Sequence, residues 1–183
     1  MKVCIITSTR ADFGLLKNLI FEIKKNKNFL LKVIASGAHF SKKYGYTYDE
    51  IKESKIEIDK KIICKFKFDN PEGISQVMSK CILESSKIFE NFRPDLLIVL
   101  GDRYEILAST ISAHLCRIPV AHIHGGEVTQ EVIDDAFRHS ITKMSHIHFV
   151  ANATYKKRVV QLGEKPKNVY VVGGLGVDSI SKT

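Results

Sequence analysis

The sequence predicts an α/β fold built on a doubly wound parallel sheet. Short β-rich apolar runs alternate with segments in which apolar residues recur every three or four positions. The run at 96–100, LLIVL, is apolar at every position, as in a central parallel strand that is covered on both faces. Strand–helix alternation of this kind predicts parallel pairing through right-handed crossovers.

Each element follows from its own pattern. Apolar residues between 78 and 92 recur at three and four, which predicts a helix with one buried stripe, and Pro94 stops it. Leu107, Ile111 and Leu115 mark the next helix, and Phe137, Ile141 and Met144 mark another. The predicted strands are 2–9, 29–36, 56–66, 95–101, 119–123, 146–151 and 169–172.

Length and composition are those of one soluble globular domain. The chain has 183 residues, of which 44% are hydrophobic and 26% charged. Its apolar runs fall short of the roughly 20 residues that span a bilayer, and the first run is interrupted from Thr7, so it indicates a strand and not a signal peptide. We expect a cytoplasmic protein without a membrane partner. Four cysteines, without C-x-x-C spacing, are expected to be reduced core residues: Cys4, Cys64, Cys81 and Cys116.

The formal net charge of +8 favours an anionic partner. Nucleic acid and a diphosphate-bearing nucleotide sugar both fit that charge. The lysines occur in mixed runs and are not interleaved with aromatic residues, as an RNA-binding surface would be. We therefore expect most of them to form a solvated face and predict no nucleic-acid partner.

Polar residues collect where the predicted strands end, and ligands of open parallel sheets bind outside the carboxyl ends of the strands. The opposite edge shows only ordinary turn residues, so the asymmetry predicts a ligand site. The segments concerned are TRAD at 9–12, SGAH at 36–39, GDR at 101–103, HIHGGE at 122–127, Asn152, and GG at 173–174.

The glycine pair Gly125-Gly126 allows a sharp turn that brings backbone N–H groups close to a ligand, although the pair taken alone favours a plain structural turn. The first predicted strand is not followed by G-x-G-x-x-G, and the chain contains no G-x-x-x-x-G-K-[ST]. The sequence therefore supports neither NAD binding nor ATP hydrolysis.

Several carboxylates are candidates for general acid and base chemistry. Asp102 ends a wholly apolar strand, where an unpaired carboxylate is costly; an ion pair with Arg103 or a helix cap is the alternative. Glu127 and Asp134 are close enough in sequence to face the same cleft, and Asp135 is also a candidate helix cap.

Arg138 follows Asp134 by four residues, one helical turn along the same face. It is predicted either to pair with Asp134 or to clamp a phosphate or carboxylate. The histidine pairs His122/His124 and His146/His148 alternate on two predicted strands. Zinc binding is a minority interpretation of these pairs, because no third ligand at a fixed spacing accompanies either. We predict no metal.

Four segments together resemble the hydrolysing UDP-N-acetylglucosamine 2-epimerases, which make N-acetylmannosamine or related sugars for sialic-acid-like pathways. The resemblance runs from Met1 to about Asp178, with the blocks in order and at fitting distances. The segments are TRADFG at 9–14, GDRYE at 101–105, HIHGGE at 122–127 and IDDAFRH at 133–139.

This resemblance implies one half of a two-domain fold of the GT-B type, with the active site between two Rossmann-like halves. It also implies removal of the carbon-2 proton, elimination of UDP and addition of water, without a cofactor. Arg10 would contact the diphosphate or sugar, and Asp102 and Asp134 would belong to the acid/base set. Arg138 and His139 would support them.

Two features depart from the family pattern. Relatives often carry a glutamate at the third position of the HIHGGE block, where this chain has His124, so either His124 or Glu127 would take over proton transfer. Relatives also have a second half of similar size. We therefore expect residues 1–178 to form the N-terminal domain, 179–183 to begin a linker, and the isolated domain to be inactive.

Three other interpretations stay open. The nucleotide sugar could be a diacetamido or GDP-linked one, the chain could be half of a GT-B glycosyltransferase, or it could be a non-catalytic module that binds a nucleotide sugar. Family precedent also implies a homo-oligomer.

Overall fold

The computed structural model describes residues 1–42, 45–64, 70–129 and 133–176. These residues contain a parallel sheet of seven strands in the order β3-β2-β1-β4-β5-β6-β7, which confirms the predicted fold class. The strands are β1 Lys2–Thr7, β2 Leu30–Ser36, β3 Lys60–Ile62, β4 Leu96–Leu100, β5 Val120–Ile123, β6 Ile147–Val150 and β7 Val169–Val171.

Helices connect the strands, and local sequence explains several of their ends. Thr9 and Asp12 form a reciprocal capping box at the start of α1, and Asn70 caps α3, whose first residue is Pro71. In the described residues the α-helices are α1 Arg10–Lys25, α2 Tyr48–Glu53, α3 Pro71–Phe92, α4 Tyr104–Leu115, α5 Ile133–Lys143 and α6 Ala153–Gln161, with 3₁₀ helices at Gly37–Phe40 and Pro166–Asn168.

The hydrophobic core consists of two layers, one on each face of the sheet. Leu97 and Val99 of β4 pack into the layer that α3 and α4 cover, whereas Ile98 and Leu100 pack into the layer under α1 and α2. This two-sided burial explains why the central strand is apolar without alternation. Cys4, Cys64 and Cys81 are buried free thiols, as predicted, and Cys116 is free and half-buried.

All seven predicted strands are longer than the observed ones, and two of them overrun an end by more than one residue. The segment predicted at 2–9 ends at Thr7, because Thr9 is the N-cap of α1. The segment predicted at 56–66 shrinks to β3, because Asp59 accepts the Val33 N–H at 2.8 Å and pairing with β2 begins only at Lys60. Its residues 65 and 66 lie outside the described residues.

The strand order places β1 beside β4, where the connections leave in opposite directions. Such a switch point opens a crevice at the carboxyl edge of the sheet, where ligands of this fold class bind. In the described residues no helix combines the length and hydropathy needed to cross a membrane. The predicted domain end at Asp178 and the segment 179–183 lie outside the described residues.

Candidate active site

Asp102 leaves the sheet directly after β4, and its loop is held from the neighbouring strand. Gly101 has a left-handed φ of +80°, which a side chain would oppose, and its carbonyl oxygen lies 2.8 Å from His122 Nε2. Burial lowers the pKa of His122 to about 3, so this imidazole is neutral and its Nε2–H donates to Gly101. The hydroxyl of Thr142 lies 3.1 Å from His122 Nδ1 and donates to it. His122 therefore supports the loop that carries Asp102.

Arg138, from α5, brings the predicted site residues together. Its guanidinium forms an ion pair with Asp102 and lies 3.4 Å from Glu127 Oε2. It also donates to the His124 carbonyl at 3.0 Å and to the Thr129 hydroxyl at 3.2 Å, and its side chain is only 7% exposed. We call Asp102, His124, Glu127 and Arg138 the β4–β5 cluster.

His124 and Glu127 form a pair within this cluster. His124 Nδ1 lies 2.9 Å from Glu127 Oε1. The backbone of His124 has a φ of +64°, a left-handed conformation that is uncommon for residues other than glycine. Its N–H donates to the Phe149 carbonyl at 3.0 Å, which ties the turn to β6. The chain thus turns sharply at His124 and aims its ring back toward Glu127.

The carboxylates of the cluster differ in their electrostatic surroundings. Burial raises the pKa of Asp102; the charge of Arg138 opposes that shift, and the charge of Asp134 adds to it. The hydrogen bond from His124 lowers the pKa of Glu127, while burial opposes this effect. Asp102 is therefore the carboxylate whose pKa is shifted toward neutrality, and Glu127 stays ionised beside His124.

Close packing excludes a side chain at the second glycine of the HIHGGE block and crowds the first. Gly126 has a φ of +77°, and a Cβ there would lie 2.5 Å from the Tyr155 carbonyl oxygen. A Cβ on Gly125 would lie 3.1 Å from His122 Nδ1. Arg158 donates a hydrogen bond to the Gly126 carbonyl. Packing against the Tyr155 backbone and a left-handed φ account for Gly126, and the contact of both glycines with substrate stays a prediction.

The structure resolves the pairing alternatives around Asp102 and α5. Arg103 pairs with Glu105 at 3.3 Å, whereas Asp102 pairs with Arg138, so the alternative ion pair between Asp102 and Arg103 is wrong. Arg138 uses its N–H groups on protein acceptors within the β4–β5 cluster and on Thr129, rather than on Asp134. A clamp on substrate by Arg138 stays a prediction.

Asp135 and His139 form a separate pair on α5. Asp135 accepts the Thr129 N–H at 3.2 Å, and its other oxygen lies 3.5 Å from His139 Nε2. Asp135 therefore holds the backbone just after the HIHGGE block, and it pairs with His139. Asp134 reaches the cluster through its charge, which acts on Asp102.

Arg10 lies away from the β4–β5 cluster. Its side chain is 73% exposed and pairs with Glu50 of α2 at 2.9 Å. It sits at the first position of α1, just after β1, on the same edge of the sheet. Its contact with a diphosphate or sugar stays a prediction.

The prediction that His122/His124 and His146/His148 each lie on one face of a strand is wrong. β5 ends at Ile123, so His124 follows the strand with a left-handed backbone while His122 points into the core. His148 lies opposite His122 in the sheet and His146 precedes β6. Across the described ranges, His, Cys, Asp and Glu side chains form no group of three that could hold a metal ion.

A second buried polar network, which sequence reasoning missed, lies at the same edge beside β1 and β2. Asp12 accepts from the Thr7 hydroxyl at 2.6 Å and from the backbone N–H of Ser8 at 2.8 Å. His39 Nε2 lies 3.0 Å from the Thr7 hydroxyl, and its Nδ1 lies 2.9 Å from the Thr47 hydroxyl. We call Thr7, Ser8, Asp12 and His39 the β1–β2 cluster.

Glu105 was also missed as a buried charge. Its side chain is fully buried beside Arg103 and against Gly37, where a Cβ would lie 2.7 Å from Glu105 Oε1. The sequence carried a signal for Asp12 and Glu105, namely Thr9-x-x-Asp12 as a capping box and a glycine after β2. The partners of Asp12 and Glu105 come from distant segments, so the sequence alone could not assign them.

Comparison with known proteins identifies the family. The model of the UDP-N-acetylglucosamine 2-epimerase family matches residues 21–183. The chain is 45% identical over 174 residues to a GDP/UDP-N,N'-diacetylbacillosamine 2-epimerase (hydrolyzing) of Campylobacter jejuni, covering 95% of this chain and 45% of the relative. It is 37% identical to the polysialic acid biosynthesis protein P7 of Escherichia coli, covering 97% of this chain and 46% of that protein. The chain thus spans about half the length of the curated relatives it matches.

Solved structures show the same fold. A UDP-GlcNAc 2-epimerase from Neisseria meningitidis, bound to UDP-GlcNAc, superposes with a TM-score of 0.86 at 22% identity over 99% of this chain and 48% of its own. The UDP-GlcNAc 2-epimerase of Methanocaldococcus jannaschii, in complex with UDP-GlcNAc and UDP, has the same TM-score and identity over 100% of this chain and 49% of its own. At this identity the likeness establishes the fold of one half of such proteins, and the family match covers most of the chain. The chain belongs to the UDP-N-acetylglucosamine 2-epimerase family.

Proposed function

We propose that the complete protein carrying this chain is a hydrolysing 2-epimerase of a UDP-linked 2-acetamido sugar. The proton on carbon 2 of the sugar is removed, the bond between carbon 1 and the UDP oxygen breaks, and an unsaturated glycal forms. Water then adds its oxygen to carbon 1, and a proton returns to carbon 2 on the opposite face. The net reaction consumes one water and yields UDP and the free epimeric sugar.

One observation carries this proposal: Arg138 gathers the Asp102 and Glu127 carboxylates beside the switch point of the sheet, with the Asp134 charge nearby. Proton removal from carbon needs a positioned base, and its return needs an acid within the same cleft. Several carboxylates around one arginine provide such groups while the arginine limits their mutual repulsion.

Asp102 is the first candidate for a proton-transfer role. Its side chain is 20% exposed at the carboxyl edge of the sheet, so a ligand bound at that edge can reach it. Burial raises the pKa of Asp102 and so brings it closer to neutral pH, where a carboxyl group with a raised pKa can both take up and release a proton. Arg138, with its nearly buried side chain, fixes the position of Asp102.

The substrate class rests on charge and on the relatives' names. A net charge of +8 favours an anionic ligand such as a nucleoside diphosphate. Relatives at 35% and 45% identity are named as diacetylbacillosamine 2-epimerases, so a diacetamido sugar ranks beside N-acetylglucosamine. Because the relatives are about twice as long, we propose that a second half supplies the uridine site and that residues 1–183 alone turn over no substrate.

The test uses the complete protein with UDP-N-acetylglucosamine and with UDP- and GDP-linked N,N'-diacetylbacillosamine. We expect release of nucleoside diphosphate without a sugar acceptor, and one deuterium at carbon 2 of the free sugar when the reaction runs in heavy water. Release that requires an acceptor and leaves carbon 2 unlabelled indicates a glycosyltransferase. Binding without release indicates a non-catalytic module, and either result contradicts the proposal.

A further inference from the structure

We infer that His124, through its Nε2 atom, is a proton-transfer residue of this site, and that Glu127 is the positioning residue that holds its ring. This inference rests on the proposed function and deepens it. It separates two roles that the sequence left undecided between His124 and Glu127. Four observations on the described residues carry it.

The first observation is the backbone at His124. A φ of +64° is costly for a residue with a side chain, and structures keep such conformations where the surroundings impose them, often at functional sites. Two hydrogen bonds impose it here, from the His124 N–H to the Phe149 carbonyl at 3.0 Å and from Arg138 to the His124 carbonyl at 3.0 Å. The ring is therefore placed by the fold and not by local preference.

The second observation assigns the tautomer. Glu127 is ionised, because the hydrogen bond with His124 lowers its pKa, and a carboxylate can only accept hydrogen bonds. The Nδ1 atom of His124, 2.9 Å from Glu127 Oε1, therefore carries the proton. In the neutral ring this leaves a lone pair on Nε2, which is the form that acts as a base.

The third observation concerns the Nε2 atom itself. It is buried, and no hydrogen-bond partner for it lies within the described part of the chain. A buried polar nitrogen without a partner costs free energy, so native proteins seldom keep one without a use. His122, two residues earlier, shows the contrast, because its two ring nitrogens face the Gly101 carbonyl and the Thr142 hydroxyl.

The fourth observation is the position of His124 relative to Asp102. Both residues are tied to the same guanidinium, Asp102 through its carboxylate and His124 through its carbonyl oxygen. Epimerisation takes a proton from one face of carbon 2 and returns one to the other face. Two proton-transfer residues held by one arginine can supply the two protons, so Nε2 exchanges one of these protons and Asp102 the other.

The charged groups around the ring come from three elements. Glu127 lies in the loop after β5, Arg138 and Asp134 lie on α5, and Asp102 follows β4. Arg138 neutralises part of the carboxylate charge. The pH dependence of turnover therefore reports the His124–Glu127 pair together with Asp102 and not one residue in isolation.

The experiment compares the complete wild-type protein with His124→Asn, His124→Glu and Glu127→Gln, by kcat, KM and the pH profile of UDP release. Asparagine tolerates a left-handed backbone, but its side-chain amide cannot act as a base. We therefore expect kcat to fall at least 100-fold with KM little changed. His124→Glu restores a base, and we expect at least tenfold recovery over His124→Asn with the rising limb of the profile at lower pH. Glu127→Gln should lower kcat less than His124→Asn and move the same limb.

The outcomes separate the two proposals. A wild-type protein that releases no nucleoside diphosphate overturns the proposed function and this inference with it. An active wild type whose His124→Asn variant keeps kcat within threefold and an unchanged pH profile overturns this inference alone. If His124→Asn does not fold, the profiles of His124→Glu and Glu127→Gln decide, and two profiles identical to the wild type contradict the assignment.

Discussion

Two polar clusters, the buried β1–β2 cluster and the half-buried β4–β5 cluster, lie at the same edge of the sheet and differ in how completely their polar atoms are paired. In the β1–β2 cluster, Asp12 accepts hydrogen bonds from Thr7, Ser8 and Thr9 between 2.6 and 3.0 Å, and both nitrogens of His39 face hydroxyl groups. In the β4–β5 cluster, Nε2 of His124 and Nε of Arg138 are buried without a hydrogen-bond partner in the described part of the chain.

The difference indicates what each cluster is for. A fully paired network stabilises the start of α1 and fixes the ends of β1 and β2. The β4–β5 cluster contains a histidine with a left-handed backbone, a carboxylate whose pKa is raised by burial, and an unpaired imidazole nitrogen. Each of these features lowers the stability of the folded chain, and a bound ligand can supply the missing partners. We therefore expect substitutions in the β4–β5 cluster to change turnover, and those in the β1–β2 cluster to change the free energy of unfolding.

The largest expected effect is at Asp102. Asp102→Asn keeps the shape of the side chain and removes its proton transfer, so kcat for UDP release should fall by about 10²- to 10⁴-fold. Asp59→Asn is the matched control, because Asp59 also accepts a backbone N–H beside a strand, at 2.8 Å, but at the opposite edge of the sheet. Comparable kcat values for the two variants would show that Asp102 takes no part in turnover.

Asp12→Ala tests the other side of the comparison. It leaves the buried hydroxyl and N–H donors of Thr7 and Ser8 without their acceptor, so the free energy of unfolding should fall by about 2–4 kcal/mol in urea titrations. Thr9→Ala, which removes only the 3.3 Å cap to the Asp12 N–H, should cost about 1 kcal/mol. Equal losses in the two variants would show that Asp12 acts only as part of the helix cap.

His122 predicts a pH dependence of stability. Its pKa is about 3 in the folded protein against 6.5 ordinarily, so the unfolded chain binds the proton first and stability falls as pH drops below 6.5. Between pH 6.5 and 5 this residue should account for a loss of about 2 kcal/mol. His148, whose pKa burial also lowers, acts in the same direction.

The check is urea unfolding at several pH values. His122→Asn should give a shallower decline between pH 6.5 and 5 than the wild type, and His114→Gln, at an exposed position, should leave the decline unchanged. A wild-type stability that is flat across this range would show that His122 is not held neutral in the folded state.

The smallest expected effect on stability is at Arg10. Its pair with Glu50 is exposed, so Arg10→Ala should change the free energy of unfolding by no more than about 0.5 kcal/mol. If Arg10 also contacts the diphosphate, KM for the nucleotide sugar should rise about tenfold with kcat little changed. Lys25→Ala, which breaks an exposed pair with Glu22, is the control, and an equal KM in both variants would remove Arg10 from the site.

Much of the fold could be predicted because it rests on local patterns. The apolar run of β4, the helical period of α3 and the polar residues after each strand depend on neighbours in sequence, and the structure contains each of them. β4 lies within one residue of its predicted ends, whereas α3 begins at Pro71, seven residues before the predicted stripe. β3 was the exception, because an edge strand has only one partner. Its pairing with β2 begins only after Asp59, whose side chain accepts the N–H of Val33 in the middle of β2. The family resemblance, carried by four short segments, was likewise readable from the sequence.

By itself, the sequence determined the fold class, and it placed Asp102, His124 and Glu127 at the edge of the sheet where we propose the active site. Only the tertiary structure decided that Arg138 pairs with Asp102 rather than with its helical neighbour Asp134, and that Glu127 holds one nitrogen of His124 while the other stays unpaired. The physical reason is that hydrophobic periodicity is a property of consecutive residues. Charge pairing between side chains that follow β4 and β5 and side chains on α5 depends on how those elements pack. Two carboxylates that look alike in the sequence, such as Asp102 and Asp134, can therefore have different partners in the folded chain.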